Sequence, residues 1–246
     1  MNFSARLAVA ASVVASSAVS SMALAGGSSA STLLSAWSFP TPLPTGAGNV
    51  PTGQIFSYGA ADQGILTAGS SFRGVHASAA STWTSPAGNS SQYSLSGNNW
   101  AIGDYWEARF STIGYSDINV GWDQARSSTG PSNFEVVVSI DGGSSFTTVL
   151  ASYAVLQSGG GGAPGTWSST GAYLSAYSST ASLTNIASNQ ADVIVRWRAL
   201  NAPSQPTGSN RIDNVLVYSG LVIPVPAPGA VALLGLAGLA ARRRRR

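Results

Sequence analysis

Few residues in this 246-residue chain are equipped for catalysis. There is one histidine, His76, and neither cysteine nor lysine. A Ser-His-Asp triad would have to run through His76, and no G-x-S-x-G turn supplies its serine. His76 stands in a Ser/Ala stretch and reads as an exposed residue. Zinc requires a tight group of His, Cys or carboxylate ligands, and the chain is too poor in them. Glycoside hydrolysis needs only two carboxylates, so nine acids leave it open, with Glu107 and Glu135 as candidates. Both lie in alternating stretches, where a charge is expected on the solvent face. No catalytic residue is therefore assigned, and the chain reads as a non-enzyme.

Binding chemistry is better represented. Sugar rings stack on flat aromatic faces, and Trp has the largest. Trp83, Trp100 and Trp167 stand in Ser/Gly/Asn-rich surroundings and are the candidate ligand-binding residues. Trp106, Trp122 and Trp197 stand in alternating stretches and read as core. The one cofactor left open is a structural calcium, which takes six to eight oxygen ligands. Asp104, Glu107, Asp117, Asp123, Asp213 and Asn214 are available, Asp104 and Asp213 being the weak metal candidates, although no Asp-rich repeat organises them. Arg211 and Asp213 are two apart and share a strand face, which suggests a polar pair at a sandwich edge.

The elements that must position these residues are strands. YWEARF sets Trp106, Ala108 and Phe110 against Tyr105, Glu107 and Arg109. Ile118, Val120 and Trp122 share a face, as do Phe134, Val136, Val138 and Ile140. Val193, Val195, Trp197 and Ala199 face inward, opposite Arg196 and Arg198. Gly/Pro/Ser turns separate these runs, and no internal segment has a helical period. The expected fold is all-β, an antiparallel jelly-roll-like β-sandwich, flanked by an N-terminal signal helix and a C-terminal hydrophobic helix. The first strand, near Leu33–Phe39, is expected to lie beside the last.

The two ends are different in kind. Residues 1–25 have a basic start at Arg6, an apolar stretch, and small residues at Ala23 and Ala25 where a signal peptidase cuts. The tail joins thirteen apolar or small residues, Gly229–Ala241, to the cluster Arg242, Arg243, Arg244, Arg245 and Arg246. As a helix that apolar segment covers roughly 20 Å, short of a ~30 Å hydrocarbon core. With the arginines on the cytoplasmic side it holds an exported chain transiently at the membrane. The whole chain has a formal charge of +3, yet residues 26–222 hold six arginines and all nine acids, 6 − 9 = −3. The basic residues of the ends thus say nothing of the central domain, and export argues against a nucleic-acid partner.

Val225-Pro226-Ala227-Pro228-Gly229, the apolar helix and the terminal arginines together resemble the PEP-CTERM sorting signal, also catalogued as the ice-binding protein C-terminal domain. The family's central Glu is Ala227 here. The resemblance covers about the last 24 residues and implies processing by an exosortase-type enzyme and delivery to the cell surface or extracellular matrix. It implies no ice binding, because the threonines are scattered rather than arrayed. Gly103–Glu107, Ser128–Pro131, Ser139–Gly143 and Arg211–Val215 are similar to surface-sorted bacterial jelly-roll domains of unassigned function. Ser139-x-Asp141-x-Gly143-x-Ser145-Phe146 resembles an Asp-box, a capped hairpin turn remote from any active site.

The expected organisation is a signal peptide (1–25), an extracellular β-sandwich (26–222) and a sorting signal (223–246). The expected role is structural or adhesive, with extracellular polysaccharide as partner. A secreted glycan-active hydrolase and a ligand-free self-assembling matrix protein are the alternatives.

Overall fold

The computed structural model describes residues 31–45 and 52–222. The segments read as a signal peptide with its cleavage site and as a sorting motif, and the arginine cluster, lie outside the described residues. Among the described residues no helix is long and apolar enough to cross a membrane.

Two antiparallel sheets face each other as a β-sandwich, the arrangement that alternation of apolar and polar residues demands. In the first sheet the order is β10 (Ser178–Ser182), β7 (Tyr115–Arg126), β12 (Asn210–Val222), β5 (Leu95–Gly97) and β4 (Trp83–Thr84). β1 (Thr32–Trp37) joins this sheet on β12. The second sheet runs β2 (Ile55–Gly59), β3 (Ser71–Val75), β6 (Tyr105–Phe110), β11 (Val193–Ala199), β8 (Asn133–Ser139) and β9 (Thr147–Ala154). The first and last strands thus lie side by side, as expected.

β12 is long enough to serve two neighbours in succession. Asn210–Ile212 pair with β5, whereas Val215–Ser219 pair with β1. Between those halves its register against β7 shifts, and Asn214 there adopts a left-handed φ of 47°. Such a bulge re-aims side chains at a strand's middle.

The predicted inward residues form the core. Trp106, Ala108, Phe110, Val136, Val138, Val193, Val195 and Trp197 are buried on the inner face of the second sheet, against Ile118, Val120, Trp122, Ile212 and Val217 from the first. Ile140 departs from this pattern and is exposed, because β8 ends at Ser139 and Ile140 opens the following turn. A polar chain crosses the interior: the Tyr153 hydroxyl donates to Gln124, and the amides of Gln124 and the indole of Trp106 both donate to Asn210 Oδ1 at 2.9 Å. The Asp-box-like turn also forms as read, with Ser139 and Ser145 hydroxyls donating to Asp141 at 2.7 and 2.6 Å. Those bonds hold the Asp141 carboxyl well below its ordinary range.

Candidate functional site

The structure corrects the aromatic reading first. Trp83, Trp100 and Trp167 are 0%, 4% and 3% exposed, so none offers a face to a sugar. Trp83 fills the space between the sheets, where Gly74 and Gly97 leave room that a Cβ at either would take from its ring. Trp100 donates to the Gly97 carbonyl at 2.8 Å and meets Trp106 edge-on. Trp83 points inward from the short strand β4, while Trp100 and Trp167 lie in loops folded over apolar residues, so none is an exposed platform. His76, expected on the surface, is 3% exposed and packed against Trp83 and Trp100 with ring centroids 4.5 and 4.1 Å away. Its Nδ1 meets Ser81 Oγ at 2.8 Å, and burial pushes its pKa down to about 3, so the ring is neutral at physiological pH.

Glu107 and Glu135 do stand on the outer face of the second sheet, but neither is solvated. Arg73 and Arg196 flank Glu107 across the strands and close on it at 2.7 Å, one on each carboxylate oxygen. Arg198 does the same to Glu135 at 2.6 Å. Arg196 is itself stacked with Tyr105 and Phe146, 4.2 Å from each ring centroid. These carboxylates are occupied as counter-ions.

Asp104 and Asp213, the candidate metal ligands, belong to separate networks. Asp104 accepts from the amides of Ala77 and Ala101 at 2.7 and 2.6 Å, tying two loops together, and burial raises its pKa. Asp213 accepts from Asn89 N, Ser91 Oγ and Asn214 N at 2.5–2.8 Å. It lies opposite Asp123 in the β12–β7 register, in the middle of the first sheet rather than at an edge. Burial pushes the Asp213 carboxyl up to about 7. Asp123 in turn accepts from Asn89, Asn214, Ser178 and Tyr173. Gly88 is required beside them, since a Cβ there would strike Asp213 and Ser91. Among the described residues no three His, Cys, Asp or Glu side chains gather as a metal group.

Asp213 and Asp123 both anchor Asn89, next to the Ala87 carbonyl that holds Arg211. The strand registers set Thr84 opposite Ser96, Ser96 opposite Arg211 and Arg211 opposite Ala125, a single row across the outer face of the first sheet. Arg211 lies against the ring of Trp167 at 4.9 Å. It donates to the Ala87 carbonyl at 3.2 Å and to Ser158 Oγ at 2.6 Å. Trp167, Tyr177 and Ala125 form a small second core beneath this layer. Arg211 therefore does not pair with Asp213, two residues away on its own strand.

This row forms the floor of a groove of about 400 Å³, lined by Thr82, Thr84, Asn98, Arg126, Thr207, Ser209 and Arg211 among others. Arg126, at the end of β7, also borders a second depression of about 370 Å³ beside β9. The lining is polar, and no carboxylate contributes to it. Among the described residues, the hydroxyls of Thr84, Thr207 and Ser209 and the side-chain nitrogen of Asn98 have no hydrogen-bond partner. Of these residues, only Arg211 stood out in the sequence. The others come from segments that are remote along the chain, and no spacing marks them.

Comparisons with known proteins place the chain only loosely. No family matches it, and no curated protein does. The solved structures it resembles include the K1 cleaved adhesin domain of Lys-gingipain from Porphyromonas gingivalis W83, at 13% identity and a TM-score of 0.39, covering 74% of this chain and 95% of that one. They also include the family 11 carbohydrate-binding module from Clostridium thermocellum, in complex with a β-1,3-1,4-mixed-linked tetrasaccharide, at 12% identity and a TM-score of 0.37, covering 79% and 98%. A native family 35 carbohydrate-binding module from the same organism gives 17% identity and a TM-score of 0.32, covering 70% and 99%. At these values no ligand or activity carries over.

Proposed function

We propose that this chain is an exported, non-catalytic β-sandwich protein of the cell surface or extracellular matrix that binds polysaccharide in the polar groove of its first sheet. The observation that carries this reading is the set of donors in that groove, on Thr84, Asn98, Thr207 and Ser209, left without partners among the described residues. A sugar presents paired hydroxyls that accept such bonds, and a wet polar cleft suits them. The occupied state of Glu107 and Glu135 weighs against the hydrolase alternative. No step is assigned to calcium.

The route to the surface rests on the two ends of the sequence. A signal peptidase acts after Ala25, the Val225–Gly229 motif and the Arg242–Arg246 cluster hold the precursor at the inner membrane, and an exosortase-type enzyme releases it. Terminal sequencing of the protein recovered from the producing cell's surface tests this: a start near Gly26 and loss of the arginines are expected, and an intact C-terminus would overturn it.

The binding test is retention of the purified full chain on the producing cell's matrix polysaccharide. Release by the soluble polymer, and loss of retention in a Thr84→Val/Thr207→Val double variant of unchanged fold, are expected. No retention of folded protein, with concentration-dependent oligomers instead, would favour the self-assembling alternative.

A further inference from the structure

The domain is sparing with positive charge, and the arginines it has are distributed unevenly. Of the six among the described residues, Arg73 and Arg196 pair with Glu107, Arg109 with Asp192, and Arg198 with Glu135, all on the second sheet or its margin. Arg126 and Arg211 make no ion pair among the described residues, and both line the groove of the first sheet. Their hydrogen bonds go only to neutral oxygens. Arg126 donates to the carbonyls of Val155, Ser127 and Ser128 at 3.0 Å. Arg211 donates to Ala87 and Ser158.

A guanidinium has five N–H donors in a rigid fork. Three of Arg126's are used and two of Arg211's, so both retain donors. The guanidinium carbon of Arg211 lies over the Trp167 ring, 4.9 Å from its centroid. Asp213 is the acid nearest in sequence to Arg211, but its oxygens are taken by Asn89, Ser91 and Asn214. Two half-buried cations without counter-ions among the described residues, in a groove that no described carboxylate lines, form an oxyanion receptor embedded in a net-acidic domain.

We propose that the ligand of this groove is an acidic polysaccharide, whose carboxylate or sulfate groups are held by Arg126 and Arg211 while its hydroxyls meet Thr84, Asn98, Thr207 and Ser209. This rests on the polysaccharide reading above and narrows its ligand class. A neutral polymer would leave both arginines without charge compensation. An acidic polymer supplies it, and charge-assisted bonds are about twice as strong as neutral ones.

The test is affinity electrophoresis of the processed protein recovered from the producing cell's surface, free of the terminal arginines, through gels containing polygalacturonate, its carboxyl-reduced neutral form, or dextran sulfate. Polygalacturonate should retard the protein at least about tenfold more strongly than its reduced form. Raising salt from about 50 to about 500 mM should erase most of the difference. Arg126→Gln, which does not disturb the Trp167 stack, should lower affinity for the acidic polymer about tenfold and leave the neutral one unchanged. Arg211→Gln should act alike, with near-ultraviolet circular dichroism confirming its fold. Stronger retardation by dextran sulfate, still sensitive to Arg126→Gln, would assign the oxyanion as sulfate. Equal retardation by polygalacturonate and its reduced form would overturn the acidic ligand but leave polysaccharide binding standing. No retardation by any of the polymers would overturn this proposal, and loss of retention on the native matrix polysaccharide as well would overturn both.

Discussion

Trp83 and Trp100 act through packing, and the expected cost of removing them follows from that. Truncating a fully buried Trp loses its transfer energy and leaves a cavity, about 3–5 kcal/mol together. Trp83→Ala and Trp100→Ala should therefore lower stability by about that amount in urea unfolding, with the affinity of the folded fraction unchanged. His76 and Asp213 make stability depend on pH in opposite directions. His76 is held neutral with its pKa down at about 3, so its contribution is present above pH 6.5 and lost as pH falls toward 3. Between pH 7 and pH 5 that loss is about 2 kcal/mol. Asp213 has its pKa raised from 3.8 to about 7, so its contribution is present below pH 3.8 and lost as pH rises toward 7. Asp104 is raised by burial and works in the same direction. The opposing slopes partly cancel in the native protein. Asp213→Asn should uncover the histidine slope and lose stability faster on acidification than the native chain. His76→Phe should gain stability as pH falls from 7 to 5. Chemical denaturation at both pH values measures each, and unchanged slopes would refute the assignments.

Among strands, the outer face of the second sheet is laced by charges. β3, β6 and β11 each contribute one member of the Arg73–Glu107–Arg196 triad. Cross-strand pairs of opposite charge favour this register over a one-residue slip, which would set every charge in the core. Both arginines are partly exposed, so screening limits the value of the triad. Glu107→Gln should cost about 1–3 kcal/mol in unfolding free energy, less than a fully buried pair would. It should change neither polysaccharide binding nor turnover of any glycan. On the first sheet the bulge at Asn214 has a different use. It separates the part of β12 that carries Arg211 from the part that pairs with β1.

Across the molecule, closure depends on the first and last strands, β1 and β12, meeting. β1 lies on β12, and Leu34 and Trp37 are completely buried there. Deleting residues 32–37 should abolish cooperative unfolding, because it uncovers the middle of the core and leaves half of β12 with an unpaired edge. Differential scanning calorimetry should show no transition in that variant, and a native-like peak would refute this account. The charge asymmetry belongs to the whole molecule as well. Among the described residues, acids compensate the arginines of one sheet, while the other sheet holds two cations without counter-ions at its groove.

The sequence by itself determined the fold class, the inward residues of β6, β7, β8 and β11, and the capped turn at Asp141. Period-two alternation and turn chemistry are local, so residues a few positions apart carry the whole signal. The same signal extended too far at Ile140, because alternation does not say where a strand stops. Only the tertiary structure decided that Trp83, Trp100 and Trp167 are buried, that His76 lies among tryptophans, and that Arg198 covers Glu135. Burial depends on which loop folds over which face, and loop composition does not encode that. The groove was least legible of all. Thr84, Asn98, Arg126, Thr207 and Arg211 lie up to a hundred or more positions apart and converge only through the registers of β4, β5, β7 and β12. Likewise, that Arg126 and Arg211 stand without acids among the described residues is visible only once the four other arginines described have been matched to their partners.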